Sequence, residues 1–255
     1  MSAADPAVAA VSLPAAREPA GCRGLAVRLE GVAFRWSDRS PFVLRIEELS
    51  IARGERIFIH GPSGSGKSTL LSLIGGVLTP DQGVVSVLGE SINRLSGPQR
   101  DAFRADHIGF IFQLFNLIPY LSVIENVTLP CAFSGRRRLN ANSGGRSPRD
   151  EALRLLDRLS LAEALLLRRA TDLSVGQQQR VAVARALIGS PEIVVADEPT
   201  SALDTDLRRT FLELLMDECR SRQTTLIFVS HDLTLRGLFD RALALSTIGG
   251  ASGLH

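Results

Sequence analysis

The run Gly61-Pro62-Ser63-Gly64-Ser65-Gly66-Lys67-Ser68-Thr69 constrains this chain more than any other stretch. It matches the phosphate-loop pattern G-x-x-x-x-G-K-[ST], preceded by apolar Ile57-Phe58-Ile59 and followed by Leu70-Leu71-Ser72-Leu73-Ile74. That order reads as strand, loop and helix, the setting in which the pattern carries a mechanism. Glycines let the backbone curl until several N–H groups point inward, and the helix N-terminus adds positive potential to this nest. Lys67 then reaches β- and γ-phosphates as a point charge, and the Ser68 hydroxyl can ligate Mg²⁺. Lys67 is the only lysine in the sequence; every other long basic side chain is arginine. A compact ammonium is kept where a planar fork would substitute poorly.

With 255 residues there is length for one large or two small domains. A net charge of +2 gives no strong electrostatic case for nucleic acid. Cys22, Cys131 and Cys219 are scattered, with no C-x-x-C, and read as small buried hydrophobes in a reducing compartment. No apolar run is long enough to span a bilayer; the best, Ile108 to Leu121, is broken by Gln113, Asn116 and Pro119. The Ala/Pro-rich start lacks the features of a secretory signal. The expectation is a soluble cytoplasmic protein with no direct membrane insertion.

Residues 1–24 show no periodicity and are expected to form a disordered tail ahead of one domain over 25–255. Leu25–Leu29, Val32–Trp36, Val43–Ile46 and Leu49–Ile51 read as short strands of an antiparallel layer. Val84–Leu88 reads as a strand, Pro98–Arg104 as a short helix and His107–Phe112 as an apolar strand. Over about 114–190 helical periodicity replaces strand signals. Within that block, Ser134 to Pro148 is polar and Gly-rich, and the Arg136–Arg138 triplet is expected in a solvated, mobile loop, the alternative being contact with lipid head groups. Arg149–Leu159, Leu161–Arg168 and Gln177–Ile188 read as helices. Strands resume at Ile193–Ala196 and Thr225–Val229, separated by a helix carrying Leu207, Phe211, Leu214 and Leu215. Strands apolar throughout and separated by helices imply a parallel sheet covered on both faces.

Asp197 and Glu198 close the strand Ile193–Ala196. Asp197 is placed to hold a Mg²⁺ shell, and Glu198 to polarise an attacking water as general base. Pro199-Thr200-Ser201-Ala202-Leu203-Asp204 follows directly. Here the chain resembles the ATP-binding subunits of ABC transporters, over residues 25 to about 250. Leu173-Ser174-Val175-Gly176-Gln177-Gln178-Gln179-Arg180 is similar to the family signature L-S-G-G-Q. Ser201–Asp204 resembles the D-loop, Gln113 occupies the Q-loop position and His231 that of the switch histidine. The resemblance implies an α/β fold: a P-loop NTPase parallel-sheet core, an antiparallel β layer and an inserted helical subdomain.

It also implies an ATP hydrolase working as a head-to-tail dimer of two copies. ATP would lie between Gly61–Thr69 of one copy and Ser174, Gly176, Gln177 and Asp204 of the other. His231 would contact the γ-phosphate, and Gln113 the metal and water. Trp36 matches the aromatic that stacks on adenine; its alternative is a core aromatic on an edge strand. Valine at 175 departs from the family's glycine. In a first helical turn it costs a few tenths of a kcal/mol; at positive φ it would strain the site.

Ile108 to Pro119, Ser122 to Val127 and Leu173 to Leu187 are similar to the lipoprotein-release, macrolide-export and cell-division branch. That implies a separate integral-membrane permease as partner, on the cytoplasmic face of the membrane, with Phe115–Tyr120 as the candidate grip for its coupling helix; the alternative for those residues is core of the helical block. A second reading is an ABC-type ATPase that regulates cell-envelope enzymes. A third, soluble DNA-repair or translation ATPase, would need a coiled-coil insertion or a second ATPase domain.

Overall fold

The computed structural model describes residues 24–200 and 205–245. The tail expected before residue 24 and the Ser201–Asp204 segment lie outside the described residues.

Strand β1 (Leu25–Phe34) pairs antiparallel with β2 (Leu44–Ala52). Each was expected as two short strands. In β1 the interruption is a bulge: Gly31 takes φ 59°, and pairing with a later strand shifts register between Glu30 and Ala33. In β2 the exposed pair Glu47 and Glu48 leaves the ladder intact, because Glu48 still pairs with Glu30. Strand β3 (Arg56–His60) leads through the loop to helix α1 (Lys67–Ile74). Strands β4 (Gln82–Val87) and β5 (Glu90–Ser91) return to the antiparallel sheet, whose order is β2-β1-β4-β5. Helix α2 (Gly97–His107) precedes β6 (Ile108–Ile111).

The helical block holds α3 (Val123–Phe133), α4 (Gly135–Ala141), α5 (Pro148–Arg158) and α6 (Val175–Leu187). Helices α3, α5 and α6 each start on a serine capping box: Ser122 with Glu125, Ser147 with Asp150 and Ser174 with Gln177. The chain then runs β7 (Ile193–Asp197), α7 (Thr205–Arg222), β8 (Thr225–Val229) and β9 (Arg241–Ala244). The parallel sheet has the order β6-β7-β8-β3-β9.

Two expectations in the helical block are corrected. The Ser134–Pro148 stretch is not a solvated loop, since Ser134 caps α4 by accepting from the Arg137 amide at 2.9 Å. Arg137 is buried and Arg136 pairs with Glu192. Leu161–Arg168 is not a helix but contains one 3₁₀ turn, Glu163–Leu165. Its backbone is used otherwise: the carbonyls of Leu166 and Arg168 accept from the first amides of α3, at 3.1 and 3.0 Å.

Alternation along the parallel strands builds two cores. Ile57, Ile59, Ile193, Val195, Ile227 and Val229 face α1 and the antiparallel sheet. Phe58, Val194, Ala196, Leu226 and Phe228 face α6, α7 and the helical block. The sheet is therefore apolar on both faces, as its continuous hydrophobic runs require. Cys131 and Cys219 are buried free thiols in the second core, whereas Cys22 lies outside the described residues. Among the described residues no helix is long and apolar enough to cross a membrane.

Candidate active site

The C-terminal ends of β3, β6 and β7 converge on a cleft of about 430 Å³. Trp36, Val43, Ser63, Gly64, Gly66, Lys67, Ser68, Thr69, Gln113, Asp197 and Glu198 line it. This is the crevice at the carboxyl ends of parallel strands where α/β sheets take ligands. Gly61, Pro62 and Ser65 complete the loop beneath it. Gly64 and Gly66 have φ of 78° and 90°, and a Cβ on Gly66 would stand 3.3 Å from the Val43 carbonyl. The cradle thus requires glycine at 66 for both conformation and space. Gly66 gives α1 no side-chain cap, and its first turn holds no acidic residue. The helix end is left as an uncompensated positive site for an anion. The Lys67 ammonium donates to the carbonyls of Gly61 at 2.9 Å and Pro62 at 2.8 Å.

Strand β7 delivers the two carboxylates. Asp197 continues the ladder, pairing with Val229, and shares the cleft lining with Ser68. Burial pushes the Asp197 carboxyl above its ordinary range, reinforced by the charge of Glu198 and opposed by Ser68 and Lys67. Glu198 leaves the strand with φ 45°, in the left-handed region. Its amide donates to the Val229 carbonyl at 3.0 Å, and its Oε2 lies 2.9 Å from Nδ1 of His231. A non-glycine residue held at positive φ at the end of a core strand carries a local conformational cost. His231 does not line the cleft; it reaches it through Glu198.

Trp36 lies just beyond β1, 64% exposed, with its ring edge-on to Phe34 at 5.1 Å between centroids. It is not a core aromatic. The Asp81 carboxylate accepts from the Arg35 amide at 2.9 Å and so anchors the chain beside Trp36.

Ser174, Gly176 and Gln177 do not line this cleft. Ser174 caps α6 in an exposed position, accepting from the Gln177 amide at 3.4 Å while its own amide donates to Gln177 Oε1 at 2.9 Å. Val175 is the first residue of α6, is not among the positive-φ residues and is half exposed. Valine therefore fits there with ordinary helical geometry, and Val175→Gly is expected to change ATP hydrolysis by less than about threefold, given a propensity difference of a few tenths of a kcal/mol. A hundredfold rise in steady-state turnover would contradict this. Asp204 lies outside the described residues.

Three features were missed in the sequence. Val43 forms a wall of the cleft with no motif to announce it. Asp232, after the switch position, pairs with Arg208 of α7. Gln179 is 1% exposed and donates to the Pro199 carbonyl, tying α6 to the segment after the two carboxylates. Its spacing from Val183 and Ala186 puts it on an apolar helix face, the one available signal.

The family model for ABC transporters matches residues 44–201, more than half of the chain. The chain is 42% identical over 198 residues to the Escherichia coli (strain K12) uncharacterized ABC transporter ATP-binding protein YbbA, covering 78% of this chain and 83% of that one. The chain belongs to the ABC transporter family. This ABC protein is also 40% identical over 206 residues to the lipoprotein-releasing system ATP-binding protein LolD of Psychrobacter arcticus, covering 81% and 88% of the two chains. A solved dimer of the ATP-binding cassette MJ0796, in a post-hydrolysis state with ADP and Pi, superposes on the ABC fold described above with a TM-score of 0.76. It is 36% identical in sequence, with 88% of this chain and 94% of that one covered.

Proposed function

We infer that this chain is the ATP-binding and ATP-hydrolysing subunit of an ABC transporter, powering a separate membrane permease through closure of a dimer of two copies. One observation carries the reading: the phosphate cleft and the capped start of α6 are both built, yet the second does not line the first. Two half-sites on one chain become whole sites when two copies meet head to tail. The loop of one copy then faces Ser174, Gly176 and Gln177 of the other, and α6 offers its positive end to the γ-phosphate from the opposite side. ATP joins the copies, and its hydrolysis removes the joint.

Within the cleft, Lys67 and the loop amides bind the phosphates, Trp36 stacks on the adenine, and Gln113 positions the attacking water. Glu198 takes the proton of that water at Oε1 or Oε2, while His231 holds the carboxylate through its 2.9 Å contact. Ser68, Asp197 and Gln113 line one cleft and offer only oxygen ligands, a donor set that fits a hard cation. Mg²⁺, when bound, neutralises charge on the phosphates.

Trp36 is the only tryptophan, so its fluorescence reports on adenine directly. Trp36→Ala is expected to weaken ATP binding by about 5- to 150-fold, the equivalent of one stacked base at about 1–3 kcal/mol. An unchanged Kd by equilibrium titration would remove Trp36 from the site.

The docking face for the permease lies between α2, β6 and α3, in a groove of about 620 Å³. Of the expected grip Phe115–Tyr120, only Asn116 lines it. Phe115 is buried with φ 59°, and its carbonyl accepts from Arg185 at 2.5 Å. Phe112 and the exposed Phe133 supply the apolar wall instead. On this reading the protein works at the cytoplasmic face of the membrane, held there by its partner. Affinity purification of the tagged chain from detergent-solubilised membranes tests the reading. A polytopic membrane protein is expected with it, and recovery of ribosomes or DNA in its place overturns it.

A further inference from the structure

The docking groove has an unequal charge lining. Three guanidinium groups, Arg104, Arg137 and Arg185, face one carboxylate, Asp101. Arg104 is occupied, pairing with Asp101 and reaching the carbonyls of Gly75 and Gly76. Arg185 donates to the carbonyls of Phe115 and Asn116. Arg137 differs from both. It is 2% exposed and has no ion pair among the described residues. Nε and Nη2 lack any hydrogen-bond partner, and Nη1 makes one long contact, 3.5 Å, to the Ala186 carbonyl. Burial pushes its guanidinium down to about 10, despite the distant charges of Glu192 and Asp106.

The side chain is held there by construction. Its amide is fixed by Ser134, whose hydroxyl donates to Asp106 at 2.5 Å. Gly189 passes so close that a Cβ on it would stand 2.6 Å from the Arg137 Cβ. A buried cation with open donors costs stability in the isolated chain unless a charged acceptor completes it. Arginine's planar fork matches a carboxylate through two parallel donors.

We propose that Arg137 is the anchor of the permease contact: it receives an Asp or Glu side chain from a short cytoplasmic helix of the permease seated between Phe112 and Phe133. The inference rests on the permease reading above and goes further by naming the chemistry of the partner's contact. Charge complementarity selects the carboxylate, and the apolar wall selects the helix face that carries it.

The test uses the full chain in its membrane complex. Arg137→Met is expected to raise the Tm of the isolated protein by about 2–4 °C, since it removes a buried unpaired charge at similar length. Retention of the permease should meanwhile fall by about 30-fold or more, the loss expected for one partner of a buried charge pair. The near-absence of lysine allows a direct readout. In Arg137→Lys complexes a zero-length carbodiimide should join the new amine to an Asp or Glu of the permease, a link absent from wild type. Full retention by Arg137→Met, or a cross-link found only to Asp101, Asp106 or Glu192, or none, overturns the pairing. If the wild-type chain itself recovers no polytopic membrane protein, the permease reading is what fails.

Discussion

Glu198→Gln is expected to bind ATP as tightly as wild type, to lose about 10²- to 10⁴-fold in turnover, and to accumulate as an ATP-bound dimer. The size follows from removing a positioned general base, while binding rests on the loop and Lys67, which the change does not touch. The amide can still meet Nδ1 of His231 at the 2.9 Å position. It also keeps the side-chain length and the backbone hydrogen bond to Val229. Folding should therefore survive, so a loss of turnover reports on chemistry. Light scattering with ATP present should give twice the monomer mass for the variant, and steady-state phosphate release gives the rate. Turnover within a factor of a few of wild type would remove Glu198 from the role of base.

Gly109→Ala should destabilise the protein by about 3 kcal/mol, the upper end of the usual cost of overpacking, and so lower Tm by roughly 6–12 °C. A Cβ at 109 would lie 2.2 Å from the Ala186 carbonyl oxygen. The obstacle is backbone, with no flexible side chain to yield. Strand β6 would have to move off α6, the helix whose first turn presents Ser174, so hydrolysis should fall with stability. Gly97→Ala is the control: at the start of α2 nothing lies within 4 Å of its Cβ, and no loss is expected. Equal Tm values for the two variants would mean that α6 is not packed against β6 as described.

The phosphate loop, the two carboxylates, the order of motifs and the apolar parallel strands were legible because each depends on a few neighbouring residues. The correction at Ser134–Pro148 had another origin. Three consecutive arginines and three nearby glycines read as solvated loop, yet Ser134 caps a helix there and the groove takes Arg137 inside. Only tertiary structure decides whether such a charge is covered. Leu161–Arg168 carried helical periodicity, but its carbonyls were claimed by the start of α3. Strand β9 is four residues, Arg241–Ala244, too short to stand out before its neighbour β3 is known. The valine at 175 posed a question of backbone conformation, and its place at the first position of α6 answered it. Which wall Val43 would form was not written in any local pattern.

In the proposed head-to-tail pair the phosphate cleft and the capped start of α6 serve different sites, so a single defective copy has consequences that depend on which half it damages. A copy that has lost its loop still lends a sound α6 to its neighbour, and one that has lost Ser174 still lends a sound loop. Two such copies, each inert when paired with itself, would between them assemble one intact site. A mutation in this gene would therefore be inherited in two complementing classes, and a cell making both defective forms would retain activity that neither form has alone.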